Sequence, residues 1–204
     1  MQLMNIISIP FDVSFHFDEQ LREIPNAPDE MQRAVDFLLA QVNEAKTNLH
    51  QQVYFYGLIG VYARILGDFP LAHTALTTAI ALSEELEDEL LKAVNQLRLA
   101  HLYQWQQQYT LSDRLFRELL VRCVSNPNLE PYLDFVFQHA GKSKFDQGRY
   151  ATAQKYFQRA LAIRLSKGDS SLIESTQFAL KIAQRQGAMH LNDGLPVHQA
   201  LQRY

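Results

Sequence analysis

Three stretches of this chain place small, turn-forming and aromatic residues at one set of offsets, and this recurrence restricts the fold more than any other feature. Gly60, Gly67, Phe69, Ala72, Leu76 and Ala79 stand at offsets 0, 7, 9, 12, 16 and 19 of the first copy. Ala100, Gln107, Tyr109, Ser112, Phe116 and Leu119 hold the same offsets in the second, and Gly141, Gly148, Tyr150, Ala153, Phe157 and Ala160 in the third. The anchors at 60, 100 and 141 lie 40 and 41 positions apart. Between Gln51 and Gln186, apolar or small residues return every three or four positions with almost no Gly or Pro inside the runs, which is helical periodicity.

Each offset has a physical reading. A small residue at offset 0 lets a second helix approach the first, where a larger side chain would hold the backbones apart. Gly67 and Gly148 supply permissive dihedrals at the turn between the two helices. The aromatic at offset 9 covers that turn, the small residue at offset 12 permits close approach again, and Leu or Phe at offset 16 fills the seam to the neighbouring pair. Helices are expected at about 29–46, 50–66, 69–85, 88–107, 110–124, 130–147, 150–166 and 170–187. One such pair has more apolar face than it can bury alone. The fold class expected is therefore all-α, with antiparallel helix pairs stacked in a right-handed superhelix that has a concave surface.

This pattern resembles the tetratricopeptide repeat family, whose motif has a small residue at its eighth position, Gly at the fifteenth, an aromatic at the seventeenth and Ala at the twentieth and twenty-seventh. Residues 134–167 match best, 53–86 match well, and 93–125 match more loosely, with Gln107, Ser112 and Leu119 in place of Gly and Ala. The spacing is longer than the usual repeat of roughly 34 residues. It is similar to the variety of about 40 to 42 residues found in kinesin light chains and in bacterial peptide-responsive regulators, a likeness clearest in "YFQRALAIRLSKGDSSLIESTQFALKIA". The prolines expected near the motif end are absent, which implies longer second helices. On this frame residues 1–28, with Pro10, Pro25 and Pro28, are a lead or cap; 29–187 are the helical repeat domain; and 188–204 are a tail or a short cap around Val197–Tyr204. Residues 29–46 then stand as a degenerate preceding second helix, and 170–187 as a terminal first helix packing the exposed end.

Composition narrows the function. In 204 residues, 47% hydrophobic and 20% charged residues describe an ordinary soluble domain, and a net charge of -3 offers no general field for a phosphate backbone. Nucleic acid is therefore a poor partner, although Arg98, Lys142 and Trp105 give a local basic and aromatic combination. The single cysteine, Cys123, lies in "LLVRCV" and reads as a buried thiol in a reducing compartment. The opening lacks the charged n-region and apolar core of a secretory signal, and no apolar run reaches membrane-spanning length, so a cytoplasmic protein without a membrane partner is expected.

Nothing in the chain assembles a catalytic or metal centre. His101 and His139 fall one alignment position apart on adjacent first helices, but no HExxH motif or Cys/His ligand set accompanies them. "SEELEDEL" at 83–90 reads as a solvated helix end and connector, and "LGDFPLA" lacks the glycine run and Lys-Ser/Thr of a phosphate loop. The expectation is a protein that is not an enzyme, with no cofactor, that binds a protein or peptide in its groove. The alternative is a regulatory adaptor or oligomerisation module, including a homodimer formed through open solenoid ends. Inward motif positions of the family, carried onto this chain, select Tyr54 and Arg64, then Arg98, His101, Gln104 and Trp105, then Gln138, His139 and Lys142. Helical spacing independently gathers 101, 104 and 105, and 138, 139 and 142, on shared faces. Arg64, Arg98 and Lys142 suit a carboxylate, phosphate or acidic peptide, with Tyr54 and Trp105 adding apolar contact. The carboxylate clamp of chaperone-binding relatives is not implied, since its Lys and Asn pattern is missing.

Overall fold

A computed structural model describes residues 8–44 and 48–193, with side chains as far as His190. Eight α-helices fill most of it: α1 (Pro28–Glu44), α2 (Leu49–Leu66), α3 (Phe69–Glu85), α4 (Glu89–Trp105), α5 (Tyr109–Ser125), α6 (Leu133–Asp146), α7 (Tyr150–Lys167) and α8 (Ser170–Asp193). Each lies within a few residues of its expected span, except that α8, expected to end near 187, runs on to Asp193. The C-terminal cap expected around Val197–Tyr204 lies outside the described residues. Ahead of α1, the described part of the lead, residues 8–27, contains a two-stranded element. It folds as an antiparallel hairpin, β1 (Phe15–Phe17) against β2 (Glu23–Pro25), with Phe15 opposite Pro25 and Phe17 opposite Glu23.

The chain divides into two compact units, one reaching Pro131 and holding the hairpin and α1–α5, the other beginning at Tyr132 and holding α6–α8. Consecutive helices pack within each unit, and alternate ones also touch, α2 on α4 and α6 on α8. In the first unit, Val35, Leu38, Phe55, Ile59 and Ala75 join α1, α2 and α3 into one buried cluster. Ala63, Ala72, Leu76, Leu99 and Leu102 join α2, α3 and α4 in another.

The repeat offsets have direct structural meaning. A Cβ built on Gly60 would stand 2.4 Å from Leu76 Cγ, and one on Gly141 would stand 2.6 Å from Phe157 Cε1, so offset 0 meets offset 16 in both copies. The turn at offset 7 is left-handed in all three: φ is 86° at Gly67, 58° at Gln107 and 69° at Gly148. The following amide closes each turn in the same way, Asp68 on Ala63 O at 2.8 Å, Gln108 on Tyr103 O at 2.8 Å and Arg149 on Lys144 O at 2.9 Å. Gln107 thus takes a conformation that costs an L-residue about 1–2 kcal/mol.

The turn that ends the first and the third copy is also left-handed, at Glu87 (φ 53°) and Gly168 (φ 79°). The matching position of the middle copy is Pro127, whose ring holds φ near -65° and forbids that turn. There the chain takes a longer path, with Asn126 capping the loop and a 3-10 turn over Glu130–Tyr132 before α6. The division between the two units falls at this loop.

Local chemistry starts the helices. Asn48, Asp68, Asp88 and Asp169 each accept from a backbone N–H three residues on, at Gln51, Leu71, Leu91 and Leu172. The Leu172 N–H bond and the Ser171 hydroxyl hold the Asp169 carboxyl below its usual pKa. Asp88, inside the acidic run, therefore starts α4, while Glu84 and Glu89 pair with Lys92, and Glu89 also with Arg122. Cys123 is buried, and that burial raises its thiol pKa. In the second unit Asp134, fully buried, accepts from Arg164 at 2.9 Å and from Lys167, while Arg164 also donates to Thr176 Oγ1 and Leu172 O, tying α6, α7 and α8.

Two substitutions test the repeat geometry. Gln107→Gly relieves the left-handed strain, and the entropy cost of Gly in the unfolded chain is about 0.5–1 kcal/mol. A net stabilisation of roughly 0.5 kcal/mol is expected, read as a higher unfolding midpoint. Gly141→Ala drives a methyl into the rigid, buried Phe157 ring and should cost about 2 kcal/mol by thermal unfolding.

Candidate functional site

The candidate residues of the first unit occupy the face that α2 and α4 share, and they form two groups. Gly57 of α2 leaves space there for a neighbouring guanidinium: a Cβ at that position would lie 2.1 Å from Arg98 Nη1 and 2.6 Å from Asn95 Oδ1. Arg98, half-buried, donates to Asn95 Oδ1 at 3.0 Å. Tyr54, also half-buried, and Tyr62 belong to the same neighbourhood. Burial raises the Tyr62 pKa, Tyr54 raises it further, and the Arg98 charge partly offsets both.

The second group surrounds the one tryptophan, Trp105. Its indole N–H donates to His101 Nε2 at 3.2 Å, one helical turn back on α4. The edge of its ring meets Phe69 of α3, with centroids 6.4 Å apart. The guanidinium of Arg64, from α2, lies 4.6 Å from the ring centroid, and that of Arg22, from the hairpin turn, lies 4.8 Å from it. Glu23 of β2 completes the cluster, accepting from Arg64 Nη1 at 3.0 Å. Glu23, Arg64 and His101 are each 4% exposed, so this is a buried ion pair beside an imidazole. His101 Nε2 lies 3.9 Å from Glu23 Oε2. Because Nε2 accepts from Trp105, it does not also donate to the carboxylate, and Arg64 carries the pairing.

Sequence reasoning placed Arg64, His101 and Trp105 on one inward face, and the structure brings these three together. Gln104 is buried on α4 at 1% exposure. Gln138, His139 and Lys142 belong to α6 of the second unit. Gln138 and Lys142 are buried there, and neither amide atom of Gln138 has a hydrogen-bond partner within the described protein. A groove of about 630 Å³ in the same unit, lined in part by Tyr150, Gln154, Gly187 and His190, was not foreseen. Glu23 and Arg22 were also missed, because no period marks the lead and a side chain reaching across 41 positions leaves no local trace. Gly57 stood at an inward motif position, but only its missing side chain matters.

Among the described residues, no three His, Cys, Asp or Glu side chains converge as metal ligands would, and no helix is long and apolar enough to cross a membrane. No family model matches the chain, and no curated protein matches it.

The Tyr62 shift has a measurable sign. A phenol whose folded pKa is raised stabilises the protein fully below the unfolded value near pH 10, and this contribution is lost as pH rises through the folded value. Tyr62→Phe should therefore gain stability relative to the parent between pH 8 and pH 11, seen in paired denaturation curves. A constant difference across that range would place Tyr62 in ordinary solvent.

Proposed function

We propose that this chain is a noncatalytic protein- or peptide-binding scaffold of the tetratricopeptide-like kind, its helix pairs stacked within each unit in the right-handed sense, with the first helices forming the binding face. One observation carries the reading. The face of α2 and α4 already holds an extended piece of polypeptide through a buried ion pair, a cation–π sandwich and the apolar surface around Trp105. Rigid helices fix these groups before any ligand arrives, which lowers the ordering cost of association. The unsatisfied amide of Gln138 supports a polar contact on α6. The repeated left-handed turns and the close approaches of Gly60 and Gly141 support the family resemblance. A cytoplasmic setting accords with a buried cysteine that forms no disulfide.

The alternative, an adaptor or oligomerisation module, draws on Val121 and Val124 of α5, which are 65% and 73% exposed.

Capture of partners by the tagged full-length chain, followed by calorimetry with purified components, tests the scaffold reading. Arg98→Ala, His101→Ala and Lys142→Ala, each checked for unchanged helicity, should weaken the captured complex by about 10-fold or more where the side chain meets the ligand. If all three folded variants bind as the parent does, the first helices are not the binding face. Reproducible turnover by the isolated chain, without a partner, would replace the scaffold with an enzyme.

A further inference from the structure

The hairpin is small, and the side chains it buries are few. Its strands are three residues each, and a two-stranded hairpin of that size has little stability of its own. Phe15 and Ile24 are 41% and 38% exposed, whereas Leu21 and Glu23 are 2% and 4% exposed. The turn that presents them is built by Asp18, whose carboxylate accepts from the Gln20 and Arg22 N–H groups, and it forces Leu21 to a left-handed φ of 61°. A strained apolar residue and a carboxylate two positions later are thus its buried side chains, with Arg22 between them lying over Trp105.

The receiving side belongs to the helices. Arg64 lies over Trp105, Trp105 is oriented by His101, and Phe69 supports its edge, and none of these contacts involves the hairpin. With the hairpin displaced, Arg64 and His101 would face the position that the Glu23 carboxylate had filled, and any ligand that covers them again has to compensate the guanidinium. Such a site has a steep preference for an anion of carboxylate geometry, because an uncompensated buried Arg is costly.

We infer that the Arg64–His101–Trp105 pocket is a recognition site for an acidic peptide with an apolar residue two positions before a glutamate, and that Leu21–Arg22–Glu23 is its built-in, displaceable occupant. The inference rests on the scaffold reading and adds its ligand chemistry and its regulation. Tethered directly to α1, the hairpin competes at an effective concentration on the order of millimolar, so free ligand engages the pocket only when it outcompetes the hairpin or when the hairpin is released. Charge selects the ligand class: an apolar peptide would bury Arg64 without compensation, and a basic one would add a like charge beside it.

The test uses the full-length chain and a labelled peptide with the sequence of residues 14–27, SFHFDEQLREIPNA. Glu23→Gln keeps the shape of the hairpin but removes its charge, and Glu23→Ala serves as a second release variant. Both are checked for helicity and cooperative unfolding. The peptide should bind Glu23→Gln at least 10-fold more tightly than the parent chain and shift the emission of Trp105, the single tryptophan. A peptide with glutamine at the position of Glu23 should lose at least 10-fold on the same variant, and Arg64→Ala added to Glu23→Gln should abolish binding. Equal affinity of the peptide for the parent and for both folded release variants overturns the displaceable occupant. Equal affinity of the glutamate and glutamine peptides overturns the carboxylate pocket. A captured protein partner that binds parent and Glu23→Gln alike would leave the scaffold reading standing while removing this one, whereas absence of both a partner and peptide binding would remove the two together.

Discussion

The backbones of paired helices in this protein come close because one position in the middle of each first helix carries almost nothing. At Gly60 and Gly141 there is no room for even one carbon against Leu76 and Phe157. Ala100 is fully buried at the equivalent place in the second copy. Once the second helix is seated this close, the connection has to reverse within a few residues, and a left-handed residue does so while its neighbour's amide closes back onto the first helix. The next first helix then falls beside the previous one, α4 on α2 and α8 on α6. The face used by the candidate site is the one these neighbouring first helices, α2 and α4, share.

Where that constraint is relaxed, the architecture changes. The turns at Glu87 and Gly168 tolerate positive φ, the first at some strain and the second without it. Pro127 cannot, and the short reversal is replaced by a loop with its own Asx bond and 3-10 turn. At this loop the eight described helices divide into a group of five and a group of three.

Two buried ion pairs illustrate how similar chemistry serves different ends. Asp134 and Arg164 lie on paired helices, and Thr176 Oγ1 and the Leu172 carbonyl both accept from Arg164 Nη1, so the cluster joins three helices of one unit. Glu23 and Arg64 join a helix to a small hairpin with exposed edges. In the first case the carboxylate cannot leave without unfolding the unit. In the second it belongs to a two-stranded hairpin of three-residue strands, and the cation stays on a helix stacked against Trp105. The difference lies in what carries the carboxylate, not in the pairing itself.

The helices, their order and their turns were legible in the residues because each follows from local rules: a period of three to four, an Asp or Asn ahead of the run, and Gly at a reversal. Even Gln107 could be read as occupying a glycine position, since the frame around it was intact and the turn geometry overrides the preference of one side chain. Gathering Arg64, His101 and Trp105 on one face was within reach of the same frame. The partner of Arg64 was not, because Glu23 comes from a lead with no period, in a hairpin of three-residue strands that packs on α2. Pro127 was visible, but its effect on the division of the chain became clear only from the φ values at the equivalent turns. Sequence by itself determined the helices, because their hydrogen bonds close within a turn. Tertiary structure alone decided what occupies the face between α2 and α4, because a buried charge is settled by whichever distant group can reach and compensate it.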